Sequence, residues 1–237
     1  MKVGINITVH NSDINVRGYE DLKVCVNGFR KYVNDDYFIC IIDNQSTGTP
    51  PEFIKDKNIQ YVYINDQDQN GGLTGAWNLG VKMCYQNGCD VILNSNEDVE
   101  FSQSISNFIG FIYRFNDKTN GIFGPIANAS GLSTPHQARQ RNQEAAAIIE
   151  TTNVYSSHGG QGYALNGFFL GFAKEFYEKF NVNGDIFSTK TKDMWGGQEV
   201  ELFDRNTPLG MRSFILENCY IQHNKNLSWK RKRENDK

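Results

Sequence analysis

The chain has 237 residues, enough for one large α/β domain or for two small ones, either with a substantial core. Its 24 basic and 27 acidic side chains leave a formal charge of −3, so no global field draws it onto nucleic acid or a membrane. No apolar run approaches the about 18 residues needed to cross a bilayer, and the N-terminus lacks a signal-peptide pattern, so a cytoplasmic protein without an integral membrane segment is expected.

The first half alternates apolar runs with amphipathic segments. Residues 3–9 are β-rich and nearly continuous in apolar side chains, which predicts an inner parallel strand ending at His10. Leu22, Val26, Phe29, Tyr32 and Val33 recur at near-helical spacing over residues 22–33. Residues 37–42 predict a second strand, broken by Asp43-Asn44-Gln45-Ser46. Residues 59–64 predict a third, ending at Asn65-Asp66. A polar loop through Asn70-Gly71-Gly72 then leads into a helix over 73–85. A fourth strand, 89–93, runs straight into Asn96, Glu97 and Asp98.

The second half is less regular. A helix is predicted over 104–115 and a short strand over 121–126. Residues 127–158 read as a loop-rich segment with a short helix at 143–150, followed by a Gly-rich hinge at 159–162. A strand at 166–173, helices at 174–180 and 198–205, and a last strand pair at 212–220 complete the order, with His223 after it. Within the last helix Glu201 stands four residues before Arg205, the favourable ion-pair spacing. Lys230-Arg231-Lys232-Arg233 is a basic tail. The odd count of five cysteines, without zinc-finger spacing, predicts buried reduced thiols.

Strand and helix in alternation predict a mostly parallel sheet flanked by helices. Right-handed crossovers place the ends of the second, third and fourth strands on one edge. Three polar clusters then meet there: Asp43-Asn44, Asn65-Asp66 and Asn96-Glu97-Asp98. In open α/β sheets that edge is where ligands bind. Oxygen side chains there can hold a hard cation such as Mg²⁺ or Mn²⁺, and the cation a diphosphate. The plain alternative is a set of acid-rich turns that cap strands.

In order and spacing these segments resemble the inverting glycosyltransferases of family 2, which have the GT-A fold. The resemblance runs from about Val3 to Ser228. It rests on the first strand, Asp43 to Thr47, Asn70 to Gly80, Leu93 to Val99, Gly167 to Leu170, Trp195 to Arg205, and His223 to Ser228. The two Asn-x-Gly elements, at Asn70 and Asn78, are most like the rhamnosyltransferase-type members. Trp195-Gly196-Gly197-Gln198-Glu199 is similar to a Trp-Gly-Gly-Glu-Asp motif of galactosyltransferases.

The resemblance implies a nucleotide-sugar donor, UDP- or dTDP-linked, and a divalent cation. Asp43 would accept a hydrogen bond from the base, with His10 and Asn44 beside it. Asn70 and Asn78 would line ribose and diphosphate. Asp98 and His223 would hold the metal, and Glu199 would be the general base. Residues 1–100 would form the donor half, 101–228 the acceptor side and 229–237 a tail of a single domain. One departure stands out: Asn96 occupies the first acid of the family's Asp-x-Asp segment, and an amide is a poorer cation ligand than a carboxylate.

The residue chemistry agrees with those roles. An inverting transfer needs a carboxylate to take the acceptor proton and something to stabilise the leaving diphosphate. Glu199 follows two glycines, which admit close backbone approach, and Trp195, whose flat ring suits a sugar. The plain reading of Glu199 is a first-turn acid facing the helix dipole. Phe168, Phe169 and Phe172 are most simply core.

Two rival functions differ in what they need. A nucleotidyltransferase would want a Gly-rich basic loop after the first strand, and residues 9–13 have none. A non-catalytic module on a decayed transferase fold has Asn96 as its support, and Glu199 weighs against it. The acceptor is open in sequence: a glycan, another hydroxyl or a modified nucleic-acid base.

Overall fold

Strand β1 (Lys2–Val9) is buried from Val3 to Val9 because both of its faces are covered. That double burial is what its unbroken apolar run encodes. Helices α1 (Gly18–Tyr32) and α3 (Ser104–Arg114) cover one face; Leu22, Phe29, Phe108 and Ile112 pack there on Val3, Ile5, Ile7, Val91 and Leu93. Helices α2 (Gly72–Gln86), α4 (Lys174–Phe180) and α5 (Gln198–Asn206) lie on the other, where Ala76, Val81, Phe176 and Leu202 meet Cys40, Ile42, Ile92 and Leu170. The computed structural model describes residues 1–12, 16–66, 70–128, 148–151, 165–188 and 198–224.

The sheet order is β3 (Ile59–Ile64), β2 (Asp36–Asn44), β1, β4 (Val91–Asn96), β8 (Phe169–Ala173), β6 (Gly121–Ala127), β9 (Arg212–His223), β5 (Val99–Phe101). Strand β7 (Ile148–Thr151) pairs with β9 off this path. Strands β1 to β4 run parallel, as the alternating pattern predicts. Beyond β4 the sheet is mixed: β8 is antiparallel to both β4 and β6, whereas β6 and β9 are parallel. The result is an α/β sheet flanked by helices on both faces.

Helix α2 begins on two glycines in the left-handed region, Gly71 at φ +78° and Gly72 at φ +63°. A Cβ at either would be strained, so the Asn70-Gly71-Gly72 sequence sets where the helix starts. Farther along, Gly75 lets the chain fold back on itself, since a Cβ there would lie 1.5 Å from the Asn70 carbonyl oxygen.

Several boundaries differ from the sequence reading, each for a reason in the pairing. β2 extends through Asn44, β4 through Asn96 and β9 through His223. Backbone ladders continue there past the last apolar side chain: Val9 pairs with Asp43, Thr8 with Asn96, and Val99 with His223. The expected last strand pair is one continuous strand, β9. The short helix expected at 143–150 is corrected at its end, because 148–151 is a strand whose Ile148 and Ile149 pair with Leu216 and Ile215. Residues 143–147, the hinge at 159–162, Trp195 and the basic tail lie outside the described residues. All five cysteines are buried and free, and Glu201 pairs with Arg205 at 3.2 Å.

Candidate functional site

The carboxyl ends of β1 and β2 are knitted into one rim. His10 Nδ1–H donates to the Asn44 carbonyl at 2.8 Å, which fixes the tautomer. Asn11 N–H donates to Ser46 Oγ at 2.7 Å, Thr47 N–H to the Asn11 carbonyl at 2.7 Å, and Asn11 Nδ2 to the Thr47 carbonyl at 2.9 Å. The turns after β1 and β2 therefore hold each other.

Asp43 lies beneath this rim and is fully buried. Its Oδ2 accepts from the Tyr19 hydroxyl at 2.8 Å and the Tyr61 hydroxyl at 2.6 Å, and its Oδ1 accepts from Ser46 N–H at 2.9 Å. Burial, then the hydrogen bond to the Asp43 carboxylate, pushes the Tyr19 phenol up to about 12 and the Tyr61 phenol higher still. Both phenols stay neutral donors. Asp43 thus ties α1, β2 and β3 together, a structural duty that sequence alone does not reveal. Asn44 beside it has a buried Oδ1 with no hydrogen-bond partner.

At the end of β4, the Asn96 N–H donates to the Phe168 carbonyl at 2.9 Å, and its side-chain Oδ1 is buried without a partner. Two residues on, Asp98 Oδ2 lies 3.4 Å from His223 Nε2. The His223 ring stacks on Phe168 with centroids 4.3 Å apart and planes 11° from parallel. Asn128 fixes the His223 backbone from both sides, Oδ1 accepting its N–H at 2.7 Å and Nδ2 donating to its carbonyl at 3.1 Å. No sequence signal marked Asn128, which follows β6.

Among the described residues no three His, Cys, Asp or Glu side chains gather as a metal cage. Among the described residues Asp98 and His223 offer two candidate donors, with the Asn96 amide oxygen unpartnered nearby in sequence. Two protein ligands suit a divalent cation that takes its remaining ligands from a diphosphate and water. The residues present fit that kind of shared site.

Glu199 stands in the first turn of α5. Its Oε1 accepts the Gly167 N–H at 3.2 Å, and its Oε2 is buried with no partner. Burial raises the carboxyl above the ordinary glutamate value, opposed by the N–H groups of Glu199 itself and Gly167. Gly167 has room for nothing more: a Cβ there would stand 2.5 Å from the Trp77 ring and 3.4 Å from the Glu199 carboxyl carbon. Trp77 is buried and its Nε1 is also without a partner. A carboxylate whose value is raised is, once ionised, a stronger base than an ordinary one.

Asn70 and Asn78, expected to line ribose and diphosphate, differ. The Asn70 Nδ2 is unpartnered at the start of α2. The Asn78 amide is committed: Oδ1 accepts Ile186 N–H at 3.1 Å and Phe187 N–H at 2.9 Å, and Nδ2 donates to the Phe187 carbonyl at 2.8 Å. Contact with a ligand would cost those bonds.

A family model described as "Glycosyl transferase family 2" matches residues 5–177. No curated protein matches the chain by sequence. Among solved structures, one of GalNAc-T7 with UDP, GalNAc and Mn²⁺ superposes with a TM-score of 0.64 at 15% identity, covering 94% of this chain and 44% of that one. S. aureus TarS 1–349 in complex with UDP gives 0.60 at 13% identity, covering 94% and 60%. The same TarS segment in a second structure gives 0.60 at 14%, covering 98% and 63%. The chain thus spans 44% to 63% of the lengths of these structures.

Proposed function

The chain belongs to glycosyl transferase family 2, and from that membership we propose that it moves a sugar from a nucleotide-diphosphate sugar to a hydroxyl acceptor by an inverting displacement, with Glu199 as the general base. The observation that carries this reading is the meeting of Asp98 and His223 at 3.4 Å on the same sheet edge as the rim of His10, Asp43 and Asn44. In the displacement, Glu199 takes the acceptor proton, the freed oxygen forms a bond to the anomeric carbon on the face opposite the diphosphate, and the carbon–oxygen bond to the diphosphate breaks with its electron pair leaving on phosphate. A cation bound by Asp98 and His223 would neutralise that leaving charge.

UDP is the first donor base to test, because the GalNAc-T7 and TarS structures hold it, and Mn²⁺ the first cation, because the GalNAc-T7 structure does. A dTDP-linked donor is the second. The rhamnosyltransferase-like Asn70 to Gly80 pattern and the galactosyltransferase-like Trp195-Gly196-Gly197 both favour a hexosyl donor. Residues 1–100 carry the donor contacts, and the acceptor, a glycan or other hydroxyl, docks on the 101–228 side. Among the described residues no helix is long and apolar enough to cross a membrane.

One observation favours a second reading, a nucleotide-sugar-binding module without turnover: the first acid of the metal segment is Asn96, leaving Asp98 and His223 as the candidate cation donors among the described residues. The test is a thermal-shift titration with UDP and dTDP, with and without Mn²⁺, on wild type and Asp98→Ala, together with UDP release from UDP-GalNAc with water as the acceptor hydroxyl. Metal-dependent stabilisation lost in Asp98→Ala, with UDP release lost in Glu199→Gln, supports the transferase. Binding without release by the wild type supports the module. No response to either nucleotide sinks both.

A further inference from the structure

The dipeptide Ile186–Phe187 is fully buried yet belongs to no helix or strand. Buried backbone groups must find partners. Here all four are taken by two side chains. Asn78 of α2 accepts both N–H groups and donates to the Phe187 carbonyl. Arg205 of α5 donates through Nη2 to the Ile186 carbonyl at 2.7 Å, while its Nε faces Glu201 at 3.2 Å. The dipeptide is therefore a rivet between α2 and α5.

That rivet adjoins the carboxylate assigned as the base. The Phe187 ring lies against Trp77, centroids 5.1 Å apart. Trp77 sits where a side chain on Gly167 would sit, and Gly167 N–H holds Glu199 Oε1. Arg205 rides the same helix as Glu199. The contacts close a ring: Glu199, Gly167, Trp77, Phe187, Ile186, Arg205, and back along α5 to Glu199. Asn78, next to Trp77 in α2, holds the ring from the α2 side.

We infer that Asn78 and Arg205 are positioning residues for Glu199, keeping its carboxylate on the Gly167 N–H and out of water by locking Ile186–Phe187 between α2 and α5. The claim rests on the transferase reading for what Glu199 does, and on geometry alone for how it is held. Neither residue touches the reacting atoms. If the rivet loosens, Phe187 and Trp77 shift, water reaches Glu199, and its carboxyl returns toward the ordinary glutamate value. The groups facing Glu199 on the described elements are the Gly167 N–H, its own N–H and the Trp77 neighbourhood; no charged side chain contributes to its raised titration.

The experiment uses Arg205→Met, Arg205→Lys and Asn78→Ser in the full chain, with folding checked by circular dichroism. The Glu199 carboxyl is titrated by ¹³C NMR, its resonance assigned by its loss in Glu199→Gln. UDP affinity and the pH profile of UDP release from UDP-GalNAc with Mn²⁺ are measured beside it. The expected result in Arg205→Met and Asn78→Ser is a Glu199 titration moved to lower pH and a kcat down about tenfold, with UDP affinity within about twofold of wild type. Arg205→Lys, which keeps a donor, should recover part of the kcat. An unmoved Glu199 titration overturns the inference, as does a UDP affinity that falls in step with kcat, which would make Asn78 a ligand contact. The NMR arm needs no substrate: a wild type that neither binds nor releases UDP sinks the transferase reading, while the titration still decides whether the rivet holds Glu199.

Discussion

The Tyr61 hydroxyl donates to Asp43 across 2.6 Å, joining the edge strand β3 to the end of β2 at the level of the candidate base pocket. With Tyr19 on the same oxygen, the carboxylate is saturated on one side and leaves Oδ1 as the side still able to accept. Tyr61→Phe should cost about 2 kcal/mol, since a hydrogen bond to a charged group is lost. Asp43→Ala, which strands two phenols and the Ser46 N–H, should cost more. Urea unfolding of both variants checks the order, and an Asp43→Ala as stable as Tyr61→Phe would remove Asp43 from its structural duty.

Replacing Glu199 by glutamine should leave UDP affinity intact and lower turnover by about 10²-fold or more. Because burial raises this carboxyl, the acid limb of the wild-type rate profile should fall above the ordinary glutamate value. Stability follows with the opposite benefit. Below the unfolded-state value the group is protonated in both states and nothing is lost; between that value and the raised folded value the unfolded chain ionises while the buried group does not, so stability declines until pH passes the folded value. Glu199→Gln should therefore melt higher than wild type at about pH 8 and equally at about pH 4. Melting curves that differ equally at both would refute the assigned burial.

Gly75→Ala places a methyl 1.5 Å from the Asn70 carbonyl oxygen, a backbone atom that moves only with its loop. A loss of about 1–3 kcal/mol is expected from the overpacking. Calorimetry with UDP should show weaker binding than wild type if Asn70 lines the donor pocket, and unchanged binding if it does not.

The thiols should be inert in the folded chain. Burial pushes Cys40 up to about 12 and Cys89 up to about 11, and Cys25 and Cys84 rise as well. The thiolate is the reactive form. Ellman's reagent should label the native protein slowly and all five cysteines promptly in urea; fast native labelling would show that one of them is open to solvent.

Where one residue's neighbours settle its state, the sequence carried the fold well. The unbroken run at 3–9 announced a strand buried on both faces, and the Asx clusters after three apolar runs announced a shared edge. Long-range partners were another matter. Tyr61 reads as one more aromatic in an apolar strand until the β2–β3 register sets it opposite Ile41, two residues from Asp43 on the same face, where its hydroxyl reaches the carboxylate. Asn78 has the spacing of a ligand contact but spends its amide on Ile186 and Phe187. His223 looked like a residue beyond a strand, yet it is the last residue of one, because pairing with Val99 continues under a polar side chain. Periodicity reports which face is covered; it does not report by whom.

The place of β9 in the chain has a consequence for biosynthesis. Asp98 emerges from the ribosome with the parallel strands, whereas His223 arrives only at the end of β9, the last strand of the described chain. Translation runs at roughly 5–20 residues per second, so for several seconds a nascent polypeptide has the donor-side strands without the histidine. A chain halted before β9 lacks half of the candidate cation pair and the strand on which β5, β6 and β7 all dock. Synthesis through β9 is therefore required before both members of the candidate cation pair stand in one chain.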